Sequence, residues 1–293
     1  MRSAYLGEPQ RKAQVLERLH ALAKEDAWAM RPVYWSAKGG SIVGNLLQSE
    51  DLDEWERRFG LPKWLALLVD TLFASAPDLP RAVESGMALL QAVPIGEDLT
   101  AAGHRILVEF LAGREYGVRT SLPEDRPPRA LATVVGLHDR AIRGDPVTPE
   151  EWRLVRRQAV AETDHAPEHS LEAEFGSCIE AAAWNPSQSR TSVSDTCRKW
   201  MGAMVSQSFA NDPEWTLEDD ALTKTRLEQL YAQEVKLKGE GERIDVFKLL
   251  GLSHPEHAAR LRAHNAFKRQ CVTEQWFRAN QLVKDVLETG EAR

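Results

Sequence analysis

The stretch Pro62-Lys63-Trp64-Leu65-Ala66-Leu67-Leu68-Val69-Asp70-Thr71-Leu72-Phe73 decides how the chain is read. Proline suits the first turn of a helix, where its missing N–H has no intrahelical partner to lose. The residues after it are apolar on every side for two to three turns. Such a run reads as a central buried helix rather than an amphipathic surface helix. Asp70 interrupts that setting. An unpaired carboxylate buried there would cost several kcal/mol, so it must face solvent, pair with a cation or collect hydrogen bonds. The Gly39 to Gly44 segment and the Tyr34 hydroxyl are its candidate partners.

Outward from this helix, nearly every segment carries helical spacing. Val15, Leu16, Leu19, Leu22 and Ala23 make an apolar stripe between Pro9 and Met30. Arg31 to Ser49, with Pro32, Gly39, Gly40 and Gly44, reads as a loop. Helices are expected at Pro80 to Val93 and at Glu97 to Ala112. Further on, Thr148-Pro149-Glu150-Glu151 is a capping box that opens a helix to about Glu162. Others follow at Glu168 to Trp184, Ser189 to Ala210 and Thr216 to Lys238, and Ser253-His254-Pro255-Glu256 reads as a second capping box. No segment alternates with a period of two, so the expected class is all-α.

The polar, three-proline stretch Arg119 to Arg129 reads as a linker. It divides an N-terminal helical domain, 1–118, from a C-terminal one, 130–238. Gly239-Glu240-Gly241-Glu242 then precedes a basic helical tail, 243–293. In that tail Ala259, Ala263, Ala266 and Phe267 share one face, and Arg260, His264 and Lys268 another.

Composition narrows the function class. With 293 residues, 43% hydrophobic and 28% charged, the chain is neither disordered nor fibrous. No apolar run approaches the roughly 18 residues of a membrane span, and the start lacks the apolar core of a signal peptide. Cys178, Cys197 and Cys271 make no CxxC pair, which fits a reducing cytoplasm. Net charge is −7, yet residues 246–284 hold seven basic side chains against Glu256 and Glu274. That basic end on an acidic body favours an anionic partner.

Residues 9–112 carry a series of short motifs in order. They are Asp26, Tyr34-Trp35, Gly40-Ser41-Ile42-Val43-Gly44-Asn45, Trp55-Glu56 and Gly60-Leu61-Pro62. Asp70 with Phe73 and Pro94-Ile95-Gly96-Glu97-Asp98-Leu99 complete the set. In this order they resemble a family of uncharacterised all-helical proteins of bacterial and phage genomes. Ser41 and Asn45 stand where that family has two loop cysteines, Ala74-Ser75 replace its Glu-Gly, and Leu22 replaces a histidine. The resemblance implies a helical fold and a phage or mobile-element setting in conflict with host defence, and brings no established activity. The lost cysteines, histidine and glutamate point away from an enzyme. Residues 245–269 resemble the lead-in of helix-turn-helix antitoxins.

Three functions are weighed. The first is a non-enzymatic protein that binds another macromolecule, a protein above all. Tyr34, Trp35, Trp55, Asp70 and Asp98 are its candidate contacts, since aromatic residues anchor interfaces. The second is nucleic-acid binding through Lys248, Arg260, Arg262, Lys268 and Arg269. The third is a metal-dependent hydrolase whose carboxylates are Asp26, Asp70 and Asp98. His165-Ala166-Pro167-Glu168-His169 matches the H-x-x-E-H string of inverted zinc proteases. Pro167 breaks the single helix that this chemistry needs, and a helix start at about Pro167 is expected instead. No nucleophile elbow, phosphate loop or dinucleotide fingerprint occurs, so no catalytic residue, metal ligand or cofactor is assigned.

Overall fold

The computed structural model describes residues 3–25, 27–122, 128–168, 170–210, 212, 214–238 and 244–289. Asp26, His169, the middle of the 119–129 segment and Gly239 to Glu242 lie outside them. Among the described residues the fold is all-α, with thirteen α-helices and one two-stranded pairing. The N-terminal helices are α1 (Pro9–Leu22), α2 (Ile42–Leu47), α3 (Leu52–Phe59), α4 (Lys63–Ala74), α5 (Leu79–Ala92) and α6 (Thr100–Ala112). Next come α7 (Arg129–Ile142), α8 (Pro149–Asp164), α9 (Leu171–Ala182) and α10 (Ser192–Ala210). The last are α11 (Leu217–Lys238), α12 (Val246–Ser253) and α13 (Pro255–Thr289). The strands, β1 (Trp35–Ser36) and β2 (Gly39–Gly40), pair antiparallel between α1 and α2. No helix among the described residues is long and apolar enough to cross a membrane.

Helix ends follow side-chain chemistry. Ser41, Asp51, Asp78, Thr148, Ser170 and Asp245 each accept a backbone N–H at the start of their helix. At Thr148 the capping box is complete, because Glu151 also accepts the Thr148 N–H at 2.8 Å. The expected second box does not form. Ser253 is the last residue of α12, and its hydroxyl donates back to the Leu249 carbonyl at 2.9 Å. Nor does a helix start at Pro167; α9 begins at Leu171, capped by Ser170. The Arg31 to Ser49 loop holds more structure than its glycines suggest, since β1, β2 and α2 all fall inside it.

The chain forms two compact units, Met1–Met204 with Thr273–Arg293, and Val205–Val272. The boundary therefore falls at 204/205 and 272/273, not in the proline-rich 119–129 segment. In the larger unit α4 is buried nearly all round, with Leu65, Ala66, Leu68, Val69, Asp70, Leu72 and Phe73 fully enclosed. Residues 273–289 are no free tail. Trp276, Ala279, Val283, Val286 and Leu287 join the same core, and Trp276 Nε1 donates to the Leu72 carbonyl at 2.7 Å.

The smaller unit centres on Trp215. The His264 ring stacks on this indole at 4.7 Å and 13°, and the Arg260 guanidinium lies 5.6 Å from it. His264 Nδ1 is 3.0 Å from Asp212 Oδ2. Thr223 Oγ1 donates to the Asp219 carbonyl at 2.7 Å, which leaves it to accept from His257 Nε2 at 2.8 Å. On this length of α13 His257 and Ala258 are buried and His264 is half-buried, while Arg260, Ala259, Ala263, Ala266 and Phe267 are exposed. Alanine buries little area, so charge and ring contacts decide which face turns in.

Helices α6 and α7, on either side of the proline-rich segment, pack closely within the larger unit. Their contact contains a buried histidine pair, His104 Nδ1 to His138 Nδ1 at 2.7 Å. His138 Nε2 donates to the Ala182 carbonyl at 2.8 Å, so its Nδ1 is the acceptor and His104 Nδ1 carries the proton. Trp152 of α8 packs on the His138 ring at 4.9 Å. Burial, and for His138 also the neighbouring imidazole, holds both rings well below the usual histidine range. The unfolded chain therefore takes up protons first as pH falls below about 6.5, and stability present above that pH is lost below it. Urea denaturation from pH 7 to pH 4.5 is expected to show wild type losing stability faster than His104→Phe. The slopes should differ by up to about 1.4 kcal/mol per pH unit. Identical slopes would show that the pair is not held neutral.

Candidate functional site

The site is built around Asp70. Its Oδ2 accepts the Val33 N–H at 2.8 Å and the Ser41 hydroxyl at 2.6 Å, and its Oδ1 accepts the Val43 N–H at 3.0 Å. Ser41 Oγ in turn accepts from the backbone N–H groups of Gly44 at 3.0 Å and Tyr34 at 3.2 Å. Asn45 Nδ2 donates to the carbonyls of Ala27 and Gly40 at 2.9 and 3.0 Å. Burial pushes the Asp70 carboxyl up to about 7, against the pull of the Ser41, Val43, Val33 and Ile42 hydrogen bonds. Every group facing it is a donor, so the pocket is shaped for the carboxylate.

Backbone approach is equally constrained. A Cβ on Gly44 would sit 1.9 Å from the Tyr34 carbonyl oxygen, and one on Gly40 2.5 Å from the same atom. Trp28, Gly40 and Trp35 lie side by side, Trp35 paired antiparallel with Gly40 and Trp28 bridged to it in parallel. Val33 has φ +44°, a region that β-branched residues avoid. Strain of this kind, of order 1–3 kcal/mol, persists only where surroundings over-determine it. Here the Asp70 carboxylate holds the Val33 N–H.

This anchored segment carries aromatic surface. Trp35 is 39% exposed, and the Arg31 guanidinium lies 5.3 Å over the half-buried Tyr34 ring. Trp28 packs on Phe73 at 5.7 Å and donates from Nε1 to the Leu22 carbonyl at 3.1 Å. Beside it runs a groove of about 620 Å³ lined by Trp28, Leu79, Val83 and Met87, with His20, Glu25 and Glu84 among its polar side chains. The arrangement can bind an apolar side chain. Its carboxylates, Glu25 and Glu84, lie at the groove, while Asp70 is enclosed behind the loop.

The remaining expected residues are dispersed. Trp55 is fully buried against Phe59 at 5.1 Å, so it packs the core and no partner can touch it. Asp70 is equally enclosed and acts on a partner only through the loop it holds. Asp98 is exposed at the start of α6 and accepts the Thr100 N–H at 2.9 Å and hydroxyl at 2.6 Å. Asp70 and Asp98 thus serve different local structures, and Asp26 lies outside the described residues. Among the described residues no group of three His, Cys, Asp or Glu side chains is placed to hold a metal ion. His165 closes the end of α8, with Nδ1 against the Ala161 carbonyl.

Of the basic candidates, Arg260 donates to Asp219 at 2.8 Å and to the Glu214 carbonyl at 2.9 Å, holding the Asp219 carboxyl down to about 2. Lys268 Nζ lies 5.3 Å over the Phe209 ring. Lys248, Arg262 and Arg269 are exposed. The basic stretch is also divided, because Arg278 and Lys284 belong to the larger unit, where Arg278 covers the Tyr116 ring at 4.7 Å. Two groupings escaped the sequence reading: the His104–His138 pair, which nothing in local spacing signals, and Arg153, Arg156 and Arg157 beside Trp184. The run Trp152-Arg153-Leu154-Val155-Arg156-Arg157 was the available signal for the second.

No protein-family model matches the chain, and neither does a curated protein or a solved structure.

Asp70→Asn keeps the shape but turns an N–H donor toward N–H donors. It is expected to destabilise the protein by about 3 kcal/mol, read from the urea midpoint at pH 7.5. Gly44→Ala is expected to cost at least as much, because the clashing atom is backbone. A loss under about 0.5 kcal/mol for both, the range of ordinary surface changes, would show that the loop does not depend on this anchor.

Proposed function

We propose that the chain is a non-enzymatic helical binding protein of the cytoplasm that takes a protein partner at the Asp70-anchored loop and the groove beside it. The carrying observation is that a buried carboxylate, a strained valine and two glycines without room for a Cβ all fix one surface segment. Fixing a loop in advance lowers the ordering cost of association. The exposed Trp35 indole on this segment, and a groove that the same segment reaches through Trp28, supply the kind of anchor that carries interface energy. Asp70 spends its acceptors on the loop, which supports binding over hydrolysis. Cys178, Cys197 and Cys271 are all unbridged and buried, in keeping with a reducing compartment. The order of motifs in residues 9–112 is what suggests a phage or mobile-element setting. Arg260, committed to Asp219, lends the nucleic-acid alternative through residues 246–284 less support.

A photo-crosslinking amino acid at Met87 tests this in the native cell. A discrete protein adduct is expected, reduced on the order of tenfold when Trp35→Ala is added, as for an interface aromatic. No protein adduct, or equal yield from a probe at exposed Leu154 on α8, would overturn the reading.

A further inference from the structure

A second groove, of about 820 Å³, lies along α8 within the larger unit. Arg153, Arg156 and Arg157 recur at helical spacing and all line it, with Trp184, Asn185 and Gln188 from the segment after α9. The Arg156 guanidinium lies 4.1 Å over the Trp184 ring, a contact that holds both groups in place. Trp184 nevertheless keeps 37% of its surface exposed. Charge on this wall is only partly answered. Arg153 pairs with Glu150 at 3.1 Å, both ends well exposed, and Asp164 stands at the end of α8. Arg156 and Arg157 have no ion-pair partner among the described residues. Two N–H donors of lining residues, Arg156 Nε and Trp152 Nε1, are buried without a hydrogen-bond partner, so donors on this wall outnumber acceptors.

We propose that this groove binds a nucleotide unit, free or within a single strand, with the arginines on the phosphate and Trp184 against the base. Guanidinium groups match phosphate oxygens in charge and in fork geometry. An exposed indole offers a stacking face that every base can use. The Gln188 carboxamide carries a donor and an acceptor, the complement of a base edge, and Asn185 adds its Nδ2 donor while its Oδ1 accepts the Ser187 N–H at 2.9 Å. A polyglutamate chain would use the arginines without a ring to set on the indole face. The volume suits one or two nucleotides.

The experiment is fluorescence anisotropy of a labelled twelve-residue thymidine strand and, in parallel, of labelled adenosine monophosphate on the full-length protein. Unlabelled adenosine monophosphate, the matching duplex and polyglutamate serve as competitors. Wild type is compared with Arg157→Gln, Trp184→Leu and the tail variant Lys248→Gln/Arg262→Gln, and each fold is checked by circular dichroism. Trp184→Leu should weaken binding about tenfold or more, the worth of one stacked base. Arg157→Gln, on an exposed side chain, should weaken it and lower the salt dependence by about 0.7 in log–log slope, one phosphate contact. The tail variant should bind as wild type. Competition by the mononucleotide as strong as that by the strand assigns a free nucleotide; weak competition assigns the strand. The proposal is overturned if neither probe binds, if only the tail variant loses binding, or if duplex or polyglutamate competes as well as the strand.

Discussion

The carboxylate of Asp70 is the constraint from which the larger unit's outer surface follows. It sits in the helix with the most apolar surroundings in the chain, where an unanswered charge is not tolerable. Its answer comes from a loop some thirty residues upstream, whose N–H groups and serine hydroxyl converge on two oxygens. Desolvation and hydrogen bonding are of similar size in such a setting, each several kcal/mol, so the anchor contributes little net stability. What it contributes is uniqueness. The path that brings Val33, Ser41 and Val43 to the same carboxylate also places Trp28, Gly40 and Trp35 side by side.

A second polar element within the larger unit works by the opposite rule. His104 and His138 satisfy each other only as neutral rings, one donating and one accepting, with the far nitrogen of His138 on a backbone carbonyl. Acid therefore opposes this pair, whereas burial of Asp70 makes its ionised form the costly one. The smaller unit, with its ring-and-charge centre at Trp215, uses surface-type pairs instead, which screen with salt.

Much of this was legible in the residues. The all-α class, the buried helix after Pro62, the Thr148 capping box and the need for Asp70 to be answered all follow from local chemistry; of its two candidate partners the glycine-rich segment supplies donors and the Tyr34 hydroxyl does not. The parts that were not legible depend on contacts far apart in the chain. Six residues of α2 and a two-residue strand pair are too short to leave a period, and exist because Asp70 and Ser41 order them. Trp55 reads equally well as anchor or core, since an indole suits both and only tertiary packing separates them. The proline-rich segment looked like a boundary, yet a close α6–α7 contact spans it.

The seating of Trp276 on the Leu72 carbonyl has a consequence for how the molecule is made. Some two hundred residues separate those partners, so the groove in which α13 lies stays open through most of translation. A nascent chain whose first two hundred residues had emerged would still show apolar surface to solvent. Completing that layer must wait for the last helix to be synthesised, and closure over so large a loop is slow as well as late. Until then the amino-terminal part leaves uncovered the apolar surface that Trp276, Val283 and Leu287 later close.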